Sequence, residues 1–217
     1  MARVLVCGSN GLIGRHLVTH LIKQGHTVLC IDDLSNSDPI PEWEDRVTRM
    51  DLTHPHAPIT VANCKAEVVY SLACHAYEGL SQFVPSGVSQ SVLTSTINVL
   101  IGAINSRTCK RLVNYSSMAR FGKGMQVTGY THLPFQGMPH ADSSPIISET
   151  GPPFGESKHL PWPEDVYGVA KVAAERSVEI LCKLHNIEYV HLVPHNVYGE
   201  ANLKSLSDPY RGVLVLW

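Results

Sequence analysis

The sequence has no excess of either charge and no long apolar run. Its 217 residues include 17 Lys and Arg against 19 Asp and Glu, a formal net charge of −2. This balance excludes the basic surface with which proteins bind nucleic acid or anionic membranes. No apolar stretch approaches the roughly 20 residues of a membrane span, and the N-terminus lacks the order of a secretion signal. We therefore expect a cytoplasmic protein.

Motifs for metal binding and for disulfide frameworks are also missing. The six cysteines form no C-x-x-C pair, and the twelve histidines form no H-E-x-x-H motif. Either kind of site would need closer spacing. The close pair His54 and His56 flanks a proline in a stretch typical of a loop. We expect reduced, mostly buried thiols and no metal site.

Short apolar runs alternate with helical patterns along the chain. Apolar residues recur at helical spacing in 12–24, before Gly25, and longer helical patterns cover 86–107 and 164–185. The alternation predicts an α/β fold, a doubly wound parallel sheet (Rossmann fold) covered on both faces. The predicted strands are Arg3–Cys7, Thr27–Ile31, Arg46–Met50, Glu67–Ser71, Arg111–Tyr115 and Glu188–Val193.

Three glycines come after the first strand at a three-residue spacing: Gly8, Gly11 and Gly14. After a strand, such glycines allow a tight turn, a close approach of backbone N–H groups to a pyrophosphate, and close packing of the helix on the strand. The phosphates would then lie at the positive end of the helix. A glycine triad can also be a purely structural turn, so residues elsewhere in the chain must decide between the two interpretations.

An acidic residue ends the second strand. Asp32 stands 18 positions after Gly14, where a dinucleotide site places a carboxylate on the adenosine ribose hydroxyls. A carboxylate there would repel the additional phosphate of NADP, so Asp32 favours NAD. The structural alternative is that Asp32 only begins a turn.

A tyrosine and a lysine lie four residues apart in the second long helical pattern. This spacing places Tyr167 and Lys171 on one face of the helix. A tyrosine is a poor base near neutral pH, and a neighbouring cation is expected to lower its pKa. Ser116 and Ser117 come directly after the fifth strand, at the edge where open α/β sheets bind their ligands.

Together these motifs resemble the extended short-chain dehydrogenase/reductase family, and within it the NAD-dependent nucleotide-sugar epimerases and dehydratases of the UDP-glucose 4-epimerase group. The resemblance extends over the whole chain in the same order. It is carried by Gly8-x-x-Gly11-x-x-Gly14, Asp32, Asn36, Asp51-Leu52, Leu72-Ala73, Asn98, the stretch 116–122 and Tyr167-x-x-x-Lys171.

The resemblance implies a role for each matching residue. Tyr167 would take the proton of the reacting sugar hydroxyl, Ser117 would hydrogen-bond that oxygen, and Lys171 would hold the nicotinamide ribose. Substrate contacts are implied for Ser117, Met118 and Asn196. The implied cofactor-binding residues are Gly8, Asn10, Gly11, Leu12, Ile13, Gly14, Asp32, Asp33, Asn36, Asp51, Leu52, Leu72, Ala73, Tyr115, Tyr167, Lys171 and Pro194.

The implied reaction is NAD-dependent epimerisation of a nucleotide-sugar, of the UDP-hexose 4-epimerase type, through a transient keto-sugar. A dehydratase of this family would carry an Asp-Glu pair directly after the catalytic serine or threonine, where this chain has Met118 and Ala119. Epimerase is therefore favoured. A dehydratase or reductase, a non-catalytic NAD-binding protein and an interaction protein that keeps only the fold remain alternatives.

Two departures from the family pattern lead to further expectations. Ser117 and Tyr167 are 50 positions apart, which predicts an irregular insertion at about 125–151 in a Rossmann domain of residues 1–195. Residues 196–217 are expected to begin a substrate-binding region that is mostly truncated. The family likeness also implies a homodimer that pairs helices 86–107 and 164–185.

Overall fold

The structure, a computed structural model, describes residues 1–122, 163–195, 197 and 199. Within these residues, six strands form one parallel sheet in the order β3-β2-β1-β4-β5-β6, the strand order of a Rossmann domain. The predicted insertion at 125–151 and nearly all of 196–217 lie outside the described residues. The strands are β1 (Arg3–Cys7), β2 (Thr27–Asp32), β3 (Val47–Arg49), β4 (Val68–Ser71), β5 (Arg111–Tyr115) and β6 (Glu188–Leu192).

In the part of the chain that the structure describes, six α-helical segments connect the strands, with 3-10 turns at Pro41–Arg46 and Met118–Phe121. A π-helical turn, Gln90–Thr94, joins α4 to α5, so that Pro85–Ser106 is one continuous helix. The helical segments are α1 (Leu12–Lys23), α2 (Ala57–Asn63), α3 (Glu78–Ser81), α4 (Pro85–Ser89), α5 (Ser95–Ser106) and α6 (Val166–Leu184).

Side chains of β1 alternate between two cores, one on each face of the sheet. Val4 and Val6 join the cluster that packs against α1, whereas Leu5 and Cys7 join the larger cluster formed with α2, α5 and α6. Because successive strand residues point to opposite faces, a strand with four consecutive buried apolar residues must be covered on both sides. The predicted doubly wound sheet is confirmed.

The predicted strands and long helices are found within two residues of their expected bounds, and β1 and β5 match at both ends. The short helix α2 was not predicted, since its seven residues supply only two buried side chains, Ala57 and Val61. All six cysteines are free, but only Cys7, Cys30 and Cys182 are buried. Cys64, Cys74 and Cys109 are half-buried, so the expectation of mostly buried thiols holds for three of the six.

One helix corrects the expectation that no apolar stretch approaches the length of a membrane span. Pro85–Ser106 is long and apolar enough, by length and composition, to cross a membrane, although polar residues interrupt its sequence. Half of its most apolar stretch is buried inside the domain, where Val92, Val99 and Leu100 are fully covered. Packing on α2 and α6 therefore accounts for its apolar character.

Candidate cofactor and active site

The glycine-rich loop packs tightly against its own chain at two of its three glycines. Gly8 has a positive φ of 83°, and a Cβ there would lie 2.7 Å from the backbone nitrogen of Ala73. A Cβ at Gly14 would collide with the carbonyl oxygen of Gly8 and lie 2.7 Å from that of Ser9. These two glycines allow the turn and the close seating of α1 on the sheet.

Gly11 differs, because a Cβ there would meet nothing closer than the Gly8 carbonyl oxygen at 3.6 Å. Gly11 is the N-cap of α1, and neither a capping side chain nor an acidic residue lies in the first helical turn. The amide N–H groups of a helix N-terminus attract anions, and no side chain of the described residues caps those of α1. This geometry fits the diphosphate of a dinucleotide. Leu12 and Ile13, which open the helix, are half-buried.

Asp32, 8% exposed, lies at the end of β2 beside this loop. Its carboxylate accepts hydrogen bonds from the amides of Asn10 and Leu34, each at 2.9 Å, and from the Ser37 hydroxyl at 3.3 Å. Burial raises the pKa of Asp32, while these hydrogen bonds oppose the rise. An ionised carboxylate accepts about four hydrogen bonds, so Asp32 retains capacity for a ribose hydroxyl.

Most of the remaining predicted cofactor residues follow β2, β3 or β4 at their carboxyl ends, whereas Tyr115 ends β5 and Pro194 follows β6. Asn36 and His75 hydrogen-bond through Nδ2 and Nδ1 at 2.8 Å and so link the loops after β2 and β4. Leu72 donates its amide to the Cys7 carbonyl at 2.9 Å, beside Ala73. The exposed Asp33 accepts from the amide and hydroxyl of Ser35.

The loop after β3 is fixed from the long helix. Asp51 accepts from both the amide and the hydroxyl of Thr53, each at 2.8 Å, and the next residue, Leu52, is buried. The Asn98 side chain donates to the Leu52 carbonyl at 2.8 Å. Asn98 therefore holds the predicted adenine loop in place.

Ser117, Tyr167 and Lys171, the predicted catalytic residues, are brought together at the carboxyl end of β5. Tyr167 and Lys171 lie on the inner face of α6 and are 5% and 6% exposed. The Lys171 ammonium donates to the Tyr115 carbonyl at 2.7 Å and lies 5.5 Å from the centre of the Tyr167 ring. The Ser117 side chain hydrogen-bonds to the Tyr167 phenol.

The prediction that the neighbouring cation lowers the Tyr167 pKa is wrong, because the structure gives a raised pKa. Burial raises this pKa well above its ordinary value, and negative charge on Cys74, Glu78 and Asp165 would raise it further, while the Ser117 hydrogen bond lowers it. Desolvation disfavours the phenolate more strongly than its neighbours favour it. The phenol is therefore protonated at neutral pH.

Three residues near this cluster were not predicted as functional. Cys74 Sγ lies 3.3 Å from Lys171 Nζ. Glu175 stands four residues after Lys171 on the same helix face, a spacing that could have revealed it. This buried carboxylate forms an ion pair with the half-buried Arg120.

Of the predicted substrate residues, Met118 is half-buried and donates its amide to the Pro194 carbonyl at 3.1 Å. This bond joins the loop after β5 to the loop after β6. Asn196 lies outside the described residues.

The sheet order and the glycine-rich loop are those of the dinucleotide-binding α/β domains. Comparison with known proteins agrees with this class. The family model "NAD dependent epimerase/dehydratase family" matches residues 4–210. The chain belongs to this family, whose cofactor is NAD.

Individual relatives are similar over part of their length. The UDP-glucose 4-epimerase of Mycolicibacterium smegmatis is 27% identical over 209 residues, which cover 91% of this chain and 56% of that protein. The structure of the Methanobrevibacter ruminantium UDP-N-acetylglucosamine 4-epimerase has a TM-score of 0.76 and 21% identity, with 99% and 60% of the two chains covered.

The UDP-glucose 4-epimerase of Thermus thermophilus, solved with NAD, has a TM-score of 0.71 and 22% identity, with 91% of this chain and 56% of that one covered. At these identities the two solved structures show a shared fold. This chain spans less than two thirds of the length of the proteins it matches.

Proposed function

We propose that the protein binds NAD at the glycine-rich loop and epimerises a UDP-hexose at the Ser117–Tyr167–Lys171 cluster. The proposal rests on one observation: Tyr167 and Lys171 are buried on one face of α6, and the Ser117 side chain hydrogen-bonds to the Tyr167 phenol. Relatives named UDP-glucose 4-epimerase support the substrate class. The dehydratase alternative is weaker, because Met118 and Ala119 occupy the positions where that chemistry needs an acid–base pair.

We propose the cofactor contacts that the family resemblance implies, and the positions of the loop ends support them. The first turn of α1 would hold the diphosphate, and Asp32 would accept from the adenosine ribose. The loop from Asp51 to Leu52 would flank the adenine, and Leu72 and Ala73 would line the cleft. Bound NAD supplies the hydride acceptor and a positive charge that favours the phenolate.

The chain's own residues provide the proton chemistry. Ser117 hydrogen-bonds the reacting sugar oxygen and orients it toward Tyr167. Tyr167 takes the hydroxyl proton when the sugar is oxidised and returns it when the keto-sugar is reduced on its opposite face, which inverts the stereocentre. The Lys171 ammonium is held in place by its hydrogen bond to the Tyr115 carbonyl. It contributes a fixed positive charge that stabilises the Tyr167 phenolate.

The assembly proposed with this activity is a homodimer that pairs α5 and α6 with their copies. Ile101 on α5 and Ile180 and Leu184 on α6 are exposed apolar residues, which such a contact would cover. Ile180→Glu should give a monomer in light scattering if the pairing is right.

The test is incubation of the purified protein with UDP-glucose, UDP-galactose and their N-acetyl forms, while product and bound cofactor are followed. Tyr167→Phe should abolish turnover and leave NAD binding within twofold. A protein that binds NAD but converts none of these sugars would support the non-catalytic alternative. Equal turnover by Tyr167→Phe would remove the phenol from the mechanism.

A further inference from the structure

An ion pair between the half-buried Arg120 and the buried Glu175 joins the loop that carries Ser117 to α6. Arg120 Nη2 is 3.1 Å from Glu175 Oε2, and the two side chains are 16% and 9% exposed. The Ser116 hydroxyl donates to the other carboxylate oxygen of Glu175. One carboxylate on α6 therefore binds the residue before Ser117 and a residue three positions after it.

The same carboxylate is coupled to the Tyr167–Lys171 face of the helix. Glu175 stands one turn beyond Lys171. Burial raises the Glu175 pKa, and the Ser116 hydrogen bond and the charges of Arg120 and Lys171 oppose that rise. Charges with little solvent access are costly unless each is paired, and in proteins generally the replacement of such a pair by apolar residues is often neutral or stabilising. The charged cluster is thus poorly explained by stability alone.

Other contacts hold the loop on both sides of Ser117. The amide of Ser116 donates to the Leu192 carbonyl at 2.8 Å. A Cβ at Gly168 would lie 2.5 Å from the Ala119 carbonyl oxygen, so α6 is seated directly on the turn. Ser117 Oγ accepts from the amide of Ala119 at 3.1 Å and also bonds the phenol. A shift of the loop would therefore move the Ser117 hydroxyl away from Tyr167.

We propose that Ser116, Glu175 and Arg120 form a positioning network that fixes the Ser117 hydroxyl against the Tyr167 phenol. These three residues act through Ser117 and do not touch the substrate. The inference rests on the proposed function, since it assigns the network to the epimerisation step.

Ser116→Ala is the main test, because it removes one of the two links between Glu175 and the loop, the hydroxyl hydrogen bond, and leaves every charge in place. Ser116→Thr restores a hydroxyl. The matched control is Ser177→Ala, a serine on α6 whose hydroxyl bonds only the Ala173 carbonyl in the described contacts. For each variant, kcat, KM, NAD affinity and hydrogen–deuterium exchange of residues 116–122 are measured in the 217-residue chain.

The expected result is a fall in kcat of at least tenfold for Ser116→Ala, with KM and NAD affinity within twofold of the parent. Exchange of residues 116–122 should accelerate. Ser116→Thr should recover most of both losses, and Ser177→Ala should resemble the parent. Unchanged kcat, a loss in KM alone, or no recovery by threonine would overturn the proposal.

The exchange measurement separates this proposal from the proposed function. If the parent converts no UDP-sugar, the epimerase assignment fails, and the network is judged on exchange alone. Faster exchange in Ser116→Ala that threonine reverses would still support positioning, whereas unchanged exchange would overturn it. If Ser116→Ala does not fold, Arg120→Lys, which keeps the charge but loses the planar guanidinium, is judged by the same criteria.

Discussion

The backbone amide of Asn10 donates to the Asp32 carboxylate at 2.9 Å, which ties the glycine-rich loop to the end of β2. The acid that would select the cofactor is thus held by the loop that would hold its phosphates. The additional phosphate of NADP at the ribose would face this carboxylate. The hydrogen bond from Asn10 would therefore help to select NAD, because it fixes the carboxylate in that position.

Replacing Asp32 by asparagine should weaken NAD binding at least tenfold and reduce the preference for NAD over NADP. The amide cannot match a charged acceptor, whose hydrogen bonds contribute about 1.5–3 kcal/mol, and it no longer repels a phosphate. Titration of both cofactors by fluorescence measures the change. Asp45→Asn, an exposed aspartate elsewhere, is the control. An unchanged ratio of the two affinities would contradict the assignment.

Gly14 and Gly11 should respond differently to alanine. At Gly14 the new methyl group collides with the Gly8 and Ser9 carbonyls, and overpacking of this kind costs about 1–3 kcal/mol of the free energy of unfolding. At Gly11 the methyl group has room in the protein but projects where a phosphate would approach. Gly11→Ala should therefore keep its stability in urea and lose NAD affinity. Equal stability of the two variants would argue against the packing role of Gly14.

Lys171→Met should lower turnover by at least a hundredfold, because acid–base catalysis typically contributes about 10²- to 10⁴-fold to the rate. It should also destabilise the fold by about 1–3 kcal/mol, because the Tyr115 carbonyl loses its donor. Lys183→Met, on the exposed face of the same helix, should leave both quantities unchanged. Turnover near the parent value in Lys171→Met would exclude a role for the ammonium.

His191 should make the protein less stable in mild acid. Burial, with a contribution from Arg120, lowers its pKa from 6.5 to about 4 in the folded state. Between pH 4 and 6.5 the unfolded chain binds more protons at this site, so its contribution to stability rises with pH over that window and is complete above it.

The measurement is the free energy of unfolding in urea at pH 4.5, 5.5 and 7. His191→Gln should reduce the change in the free energy of unfolding between pH 4.5 and 7, because the His191 contribution is removed. His185→Gln, an exposed histidine at the end of α6, should keep the parent slope. Identical slopes for the parent and His191→Gln would refute the shift.

Local sequence patterns were enough to predict the order of the strands and of the longer helices, and the positions of the glycine turn, Asp32 and the Tyr167–Lys171 pair. Strands and helices have different apolar periods, and glycine alone tolerates the crowded loop. Strand order, the burial that raises the Tyr167 pKa, and the ion pair of Arg120 with Glu175 became known only from the folded chain. They depend on contacts between residues far apart in the sequence, such as the 55 positions that separate Arg120 from Glu175, and on the water that packing excludes.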